Sequence, residues 1–111
     1  MAGKFPEFQR DTRTPAERAP PGSWDCQVHV FADFSRYPIR ADAAYPPPLA
    51  TLEDMRRMHR ALGIERGCIV QATAYGTDHT LLLDLLAEEP GYVGVAIIDD
   101  STSDAELARL H

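Results

Sequence analysis

Three short apolar segments, separated by segments with helical periodicity, constrain the fold of this chain more than any other feature. They are residues 24–31, 68–72 and 93–98, and each has the apolar, β-branched or aromatic character typical of strands. Short links join each helical segment to the next strand. This β-α-β-α-β-α order predicts an α/β fold with a parallel sheet, because parallel neighbours need crossover helices.

The helical segments carry start and stop signals. Thr51 and Asp54 resemble a capping box, Gly63 supplies the stop, and the helix between them has a buried stripe formed by Leu52, Met55, His59 and Leu62. A second helix runs through residues 81–86, and a capping box at residues 103–106 begins a third. His79, at the start of the second helix, is expected to be neutral and exposed because the helix dipole disfavours a cation there.

Two segments lie outside this alternation. Residues 1–23 mix both charge signs with four prolines and are predicted to be a flexible tail, which leaves residues 24–111 as the folded domain. An alternative is that Phe5 and Phe8 dock onto a partner or close the bottom of a barrel. Residues 32–50 form a long, proline-containing connection, and its tyrosines favour an ordered loop.

Charge and composition restrict the partners. The chain has 11 Lys and Arg against 17 Asp and Glu, a net charge of −6, so neither nucleic acid nor a membrane surface is expected as a partner. The sequence has neither a long apolar run nor a signal-like start, and Cys26 and Cys68 are predicted to be buried, reduced thiols. These features predict a cytoplasmic location.

Polar residues follow each predicted strand, where ligands gather in α/β folds. Gln27 and His29 are two residues apart near the end of the first strand, so their side chains are predicted to share a face. An imidazole nitrogen is a good metal ligand, whereas an amide oxygen is a weak one. The spacing alone leaves His29 as either a metal ligand or a hydrogen-bonded core residue.

The ordered motifs of the chain resemble one enzyme family. The motifs in question are Trp24–Phe31, Tyr37-Pro38, Tyr45-Pro46, Gly63–Arg66, Val70–Ala72, Tyr75–His79, Val95–Asp99 and Glu106–Leu110. In their order and spacing they resemble the amidohydrolase-related (amidohydrolase 2) branch of the amidohydrolase superfamily, and within it the predicted metal-dependent hydrolases similar to 2-pyrone-4,6-dicarboxylate lactonase.

The resemblance implies a TIM (β/α)₈ barrel that hydrolyses a small carboxylated substrate through attack of water on a carbonyl. It implies that His29 is catalytic, and that Tyr45, Thr73 and Tyr75 bind the substrate. Some relatives decarboxylate their substrates instead, so a decarboxylase of the same family is an alternative.

The resemblance also implies a divalent metal such as zinc, bound through an Asp-x-His-x-His motif on the first strand. Asp25 matches the acid of that motif and His29 its second histidine. Gln27 stands where the first histidine belongs, so a metal site that included His29 would lack one imidazole.

Length limits what this chain is expected to do. A barrel needs about 250 residues, so residues 24–111 correspond to about three of its eight β/α units. We therefore expect the N-terminal part of a lactonase-like hydrolase that is inactive by itself. The alternatives are a non-catalytic remnant or interaction module, which could self-associate through open sheet edges, and a flavodoxin-like domain.

Overall fold

A computed structural model describes residues 6–111 and contains one parallel sheet with the strand order β1-β2-β3. The elements along the chain are β1 (Trp24–Val28), α1 (Leu52–Leu62), β2 (Arg66–Val70), a 3₁₀ turn (Thr73–Tyr75), α2 (Thr80–Glu88), β3 (Val93–Val95) and α3 (Asp104–Leu110). The predicted alternation and the parallel sheet are confirmed.

All three strands end earlier than the sequence predicts, and β2 also begins earlier, at Arg66. Beyond β1, Phe31 pairs in antiparallel fashion with Ala50 of the long connection. Beyond β3, the Ile97 backbone N–H donates to the Gln71 side chain at 2.8 Å. In both places a partner outside the sheet takes the hydrogen bonds that a longer strand would have made.

Helix α1 has the caps that the sequence predicts. The Thr51 side chain accepts from the backbone of Asp54, whose carboxylate in turn accepts from the Thr51 backbone. At the other end Gly63 has a φ of +79°, a left-handed conformation that glycine adopts without strain. These local bonds fix where α1 begins and ends.

The core lies on one side of the sheet, between the strands and the helices. Ile69 of β2 packs there with Met55 of α1 and with Leu82 and Leu85 of α2. On β3, a side chain at Gly94 would meet Leu82 and Leu86, so the helices cover that face.

Within residues 6–111, the opposite face of the sheet is largely uncovered at β3. Val93 and Val95 flank Gly94 and are 51% and 50% exposed. The described chain is a slab of 47 × 40 × 20 Å with a radius of gyration of 15.2 Å, against about 13 Å for a compact domain of this length. It therefore has two layers, with both sheet edges open.

A β-bulge interrupts β1. Asp25 pairs with Gly67 and Val28 with Ile69, so β1 uses one residue more than β2 over this stretch. Cys26 lies within the bulge and is exposed, and Cys68 is partly buried. The prediction that Cys26 is buried is therefore wrong, because the bulge changes the alternation on which it rested.

Residues 6–23 form neither helix nor strand but contact α1. Arg10 forms an ion pair of 3.3 Å with Asp54, and the Ala19 backbone N–H donates to Leu62 at 2.8 Å. Phe5 lies outside the described residues. Phe8 lines a cleft with His29, on the side of the carboxyl ends of the strands. Flexibility of the tail stays a prediction.

None of the helices formed by residues 6–111 combines the length and the apolar character needed to cross a membrane.

Candidate active site

The loops that follow β1 and β2 meet at the carboxyl edge of the sheet. Backbone hydrogen bonds of 2.8 and 3.0 Å join Phe31 to Ala50, so the long connection returns to the edge that it left. The Arg40 backbone N–H donates to the Ala74 carbonyl at 2.7 Å. The connection is thereby attached to the turn after β2, and the two loops form one surface.

His29 lies at this edge with an exposed side chain. Its Nδ1 is 2.8 Å from the Val70 carbonyl oxygen. Because a carbonyl only accepts, Nδ1 carries the hydrogen, and Nε2 of the neutral ring keeps its lone pair. His29 is thus a ring with one nitrogen held by the backbone and the other available as a base or a ligand.

The cleft beside His29 has a volume of about 210 Å³. Its lining is mostly apolar and includes Val28, Met55 and Met58. Arg10 crosses its rim, where it donates to the Leu49 carbonyl and to the Asp54 carboxylate. The N-terminal segment therefore forms one wall of the space next to the imidazole.

A second cleft, of about 170 Å³, contains two of the predicted substrate residues. Tyr45 and Thr73 line it together with Arg40 and Asp42. The structure thus brings Tyr45 and Thr73 together, whereas His29 lines the first cleft and not this one. Sequence reasoning missed Arg40, because nothing in a loop sequence indicates what an isolated arginine will face.

The third predicted substrate residue, Tyr75, lies in the core rather than in either cleft. It is 5% exposed and its ring stacks on Phe31, with 6.0 Å between the ring centroids. Burial raises the pKa of the Tyr75 hydroxyl, an effect that the facing backbone of Ala32 partly offsets. Among residues 6–111 the hydroxyl finds no hydrogen-bond partner of normal geometry. A role in substrate binding stays a prediction.

The residues described here do not fit a metal centre on their own. Gln27 is exposed and brings only an amide near His29, and within residues 6–111 no group of three His, Cys, Asp or Glu side chains comes together. Asp25 points away from this edge. The metal that the resemblance implies would therefore need further ligands.

The side chain of Gln71 links the turn after β2 to the segment after β3 at the carboxyl edge. Its side-chain nitrogen donates to the carbonyls of Gly76 and Asp78, both at 2.9 Å, and its oxygen accepts from Ile97. Both amide hydrogens and the amide oxygen of this buried side chain are thus bonded to the backbone of two loops. This polar strand-end residue is therefore structural.

The prediction that His79 is exposed is wrong, because the residue is 2% exposed. Its Nδ1 is 2.7 Å from Glu106 and its Nε2 is 2.6 Å from the Ile97 carbonyl. Both partners are acceptors. The predicted exposure is wrong because α3 brings Glu106 against the ring, and the predicted neutral state stays a prediction.

His59 forms a second buried network, at the amino edge of the sheet. Its Nε2 is 2.8 Å from Asp25 and its Nδ1 is 2.6 Å from the Tyr92 hydroxyl. The carboxylate only accepts, so we assign the hydrogen to Nε2, and Nδ1 accepts from Tyr92. The sequence placed His59 in the buried stripe but did not identify these partners.

Comparison with known proteins relates the whole domain to one family. The model of the amidohydrolase (amidohydrolase 2) family matches residues 24–111. The chain is 39% identical over 72 residues to 4-sulfomuconolactone hydrolase of Hydrogenophaga intermedia. It is 34% identical over 98 residues to 2-pyrone-4,6-dicarboxylate hydrolase of Comamonas testosteroni. These alignments cover 65% and 87% of the chain.

The chain matches only part of the length of each relative. The alignments span 24% and 32% of the two hydrolases. An apo crystal structure from Agrobacterium tumefaciens superposes with a TM-score of 0.77 at 29% identity, over 93% of this chain and 37% of that one. The three parallel strands and their helices are therefore a portion of a TIM barrel, as the sequence predicted.

Proposed function

Because the chain belongs to the amidohydrolase family, we propose that residues 24–111 form the N-terminal β/α units of a barrel that hydrolyses a small carboxylated lactone. Two relatives carry names of lactone-ring or pyrone hydrolases. The site that supports this activity is the carboxyl edge, where active sites of TIM barrels lie.

The observation that carries the proposal is the orientation of His29. With Nδ1 bonded to the Val70 carbonyl, Nε2 can take a proton from a water molecule as the water oxygen attacks the lactone carbonyl. The ring C–O bond then breaks, and the departing oxygen takes this proton back from Nε2. Tyr45 and Thr73 lie in the second cleft, where their hydroxyl groups would hold the substrate.

The remaining groups of the site would come from further β/α units. The matched portion covers about a third or less of each named hydrolase, and a barrel site draws on the ends of several strands. We therefore expect no hydrolysis from residues 1–111 alone. The free thiols of Cys26 and Cys68 support a cytoplasmic location as part of this proposal.

Reconstitution tests the function directly. The chain is mixed with a polypeptide that carries the remaining β/α units of the Comamonas testosteroni relative, and hydrolysis of 2-pyrone-4,6-dicarboxylate is followed by loss of pyrone absorbance. We expect activity only in the mixture. A His29→Asn variant should lose at least about a hundredfold in rate, as removal of a general base does.

A His111→Asn variant is the matched control, because His111 is exposed at the end of α3. It should keep the activity of the unmodified mixture. Full activity of the His29→Asn mixture would contradict the role of His29, and a folded complex that hydrolyses no lactone would contradict the proposed function.

An interaction module is the second candidate function, and the bare sheet face favours it. Val93 and Val95 are half exposed, as is Ile98 beyond β3, and unpaired strand edges favour association. Self-association of the chain in sedimentation experiments, together with complex formation but no hydrolysis in the mixture, is the outcome that this candidate predicts.

A further inference from the structure

Arg40 is held in place by the turn that follows β2. Its backbone N–H donates to Ala74 at 2.7 Å, and its aliphatic stem lies against Gly76. A Cβ at Gly76 would come within 2.6 Å of the Arg40 Cδ. Gly76 has a φ of +58°, so its conformation favours glycine, and an added Cβ would displace the Arg40 stem.

The guanidinium of Arg40 forms a bidentate ion pair with the carboxylate of Asp42. Its Nε is 2.9 Å and its Nη2 is 2.6 Å from the two oxygens of Asp42. The arginine lowers the pKa of the Asp42 carboxyl. Both side chains remain largely exposed, at 50% and 72%, so solvent screens the pair and its breakage costs little.

We propose that Arg40 is the carboxylate-binding residue of the cleft that it shares with Tyr45 and Thr73, and that Asp42 holds the guanidinium until a substrate carboxylate replaces it. The exchange substitutes one carboxylate for another in the same bidentate geometry. This inference rests on the proposed function and specifies how the site would select an acidic substrate.

Three observations point to a ligand rather than to a surface ion pair alone. The arginine lines a cleft, of about 170 Å³. Two hydroxyl-bearing side chains line the same space. The backbone of Arg40 is bonded to Ala74 and its stem lies against Gly76, which directs the guanidinium toward this space.

Binding to the 111-residue chain tests the proposal without any need for turnover. Amide chemical shifts are followed while 2-pyrone-4,6-dicarboxylate is added, and the neutral dimethyl ester is the control ligand. We expect Arg40→Gln to weaken dicarboxylate binding about tenfold or more, and Arg40→Lys to weaken it less. Asp42→Asn should tighten it by about threefold or more, because the competing carboxylate is gone.

Two glycine-to-alanine variants distinguish the effect of moving the Arg40 side chain from the effect of backbone strain. Gly76→Ala should displace the Arg40 stem and weaken binding, whereas Gly22→Ala places a side chain at a φ of +81° with no atom within 4 Å and should leave binding unchanged. The dispersion of each amide spectrum verifies that the variant is folded.

Several results would overturn the proposal. They are no binding of the dicarboxylate to the folded chain, equal affinity of Arg40→Gln and the unmodified chain, weaker binding by Asp42→Asn, or ester binding that depends equally on Arg40. Arginine-dependent binding without hydrolysis in the reconstituted barrel would refute the proposed function and leave this inference standing.

Discussion

The two edges of the sheet use histidine in opposite ways. At the amino edge, His59 is 2% exposed and both of its ring nitrogens are bonded, to Asp25 and Tyr92. At the carboxyl edge, His29 is exposed, and among residues 6–111 only its Nδ1 has a partner, the Val70 carbonyl. The buried ring joins structural elements through both nitrogens, whereas the exposed ring has one nitrogen accessible to a ligand or a substrate.

His79 shows that position at an edge does not decide the role. It lies at the carboxyl edge, yet Glu106 and the Ile97 carbonyl occupy both ring nitrogens and its side chain is 1% exposed. It joins α2 to α3 across the open end of the sheet. The number of satisfied nitrogens therefore separates structural from available histidines better than location does.

The largest effect should come from removing the amino-edge ring. His59→Ala deletes two buried hydrogen bonds and leaves a cavity beside Asp25, so we expect the free energy of unfolding to fall by about 3 kcal/mol. Urea denaturation followed by circular dichroism measures it. His29→Ala, at the exposed position, should cost no more than about 0.5 kcal/mol. Equal losses in the two variants would break the contrast between the edges.

Two tyrosine-to-phenylalanine variants should differ in the direction of their effect on the free energy of unfolding. Tyr92→Phe removes a hydroxyl bonded to His59 at 2.6 Å, which should cost about 1 kcal/mol. Tyr75→Phe removes a buried hydroxyl without a partner among the described residues, so the variant should be as stable as the parent chain or slightly more stable. The same denaturation measurement tests both, and a large loss on Tyr75→Phe would show that its hydroxyl is satisfied.

The smallest effect concerns pH at the carboxyl edge. The hydrogen bond from His79, assisted by Arg109, holds the pKa of Glu106 below its usual 4.5. A carboxyl of this kind stabilises the folded chain above its unfolded pKa and loses that contribution as pH falls through the folded value. The urea midpoint of Glu106→Gln should therefore lie below that of the parent chain at pH 7, and the gap should shrink below pH 4.5.

Asp100→Asn measures the effect of removing one exposed negative charge from the same edge. If the gap between Glu106→Gln and the parent chain followed that of Asp100→Asn at every pH, the buried His79 contact would not be its cause.

Local signals predicted much of the fold. The capping box at Thr51 and the glycine stop at Gly63 act within one helical turn, so they can be read from neighbouring residues. The apolar segments gave the strands for the same reason. Cys26 was predicted wrongly because a single bulged residue reverses the facing of a strand, and nothing in the local pattern marks it.

The candidate site was predicted in part. The family resemblance supplied His29, Tyr45 and Thr73, and the structure places Tyr45 and Thr73 in one cleft. Arg40 was not predicted, because its importance depends on Gly76, which lies 36 positions further along the chain. Distance in sequence hides such a pair until the two loops are brought together.

By itself the sequence determined the order of strands and helices and the helix ends, because these depend on periodicity and on contacts between near neighbours, and the resemblance of its ordered motifs gave the family. Only the tertiary structure decided which polar groups are used up and which are free. That outcome depends on crossover connections that bring Asp25 to His59, Glu106 to His79 and Arg40 to the second cleft. Whether a buried polar atom is satisfied is a property of the assembled fold, since its partner usually lies on another element.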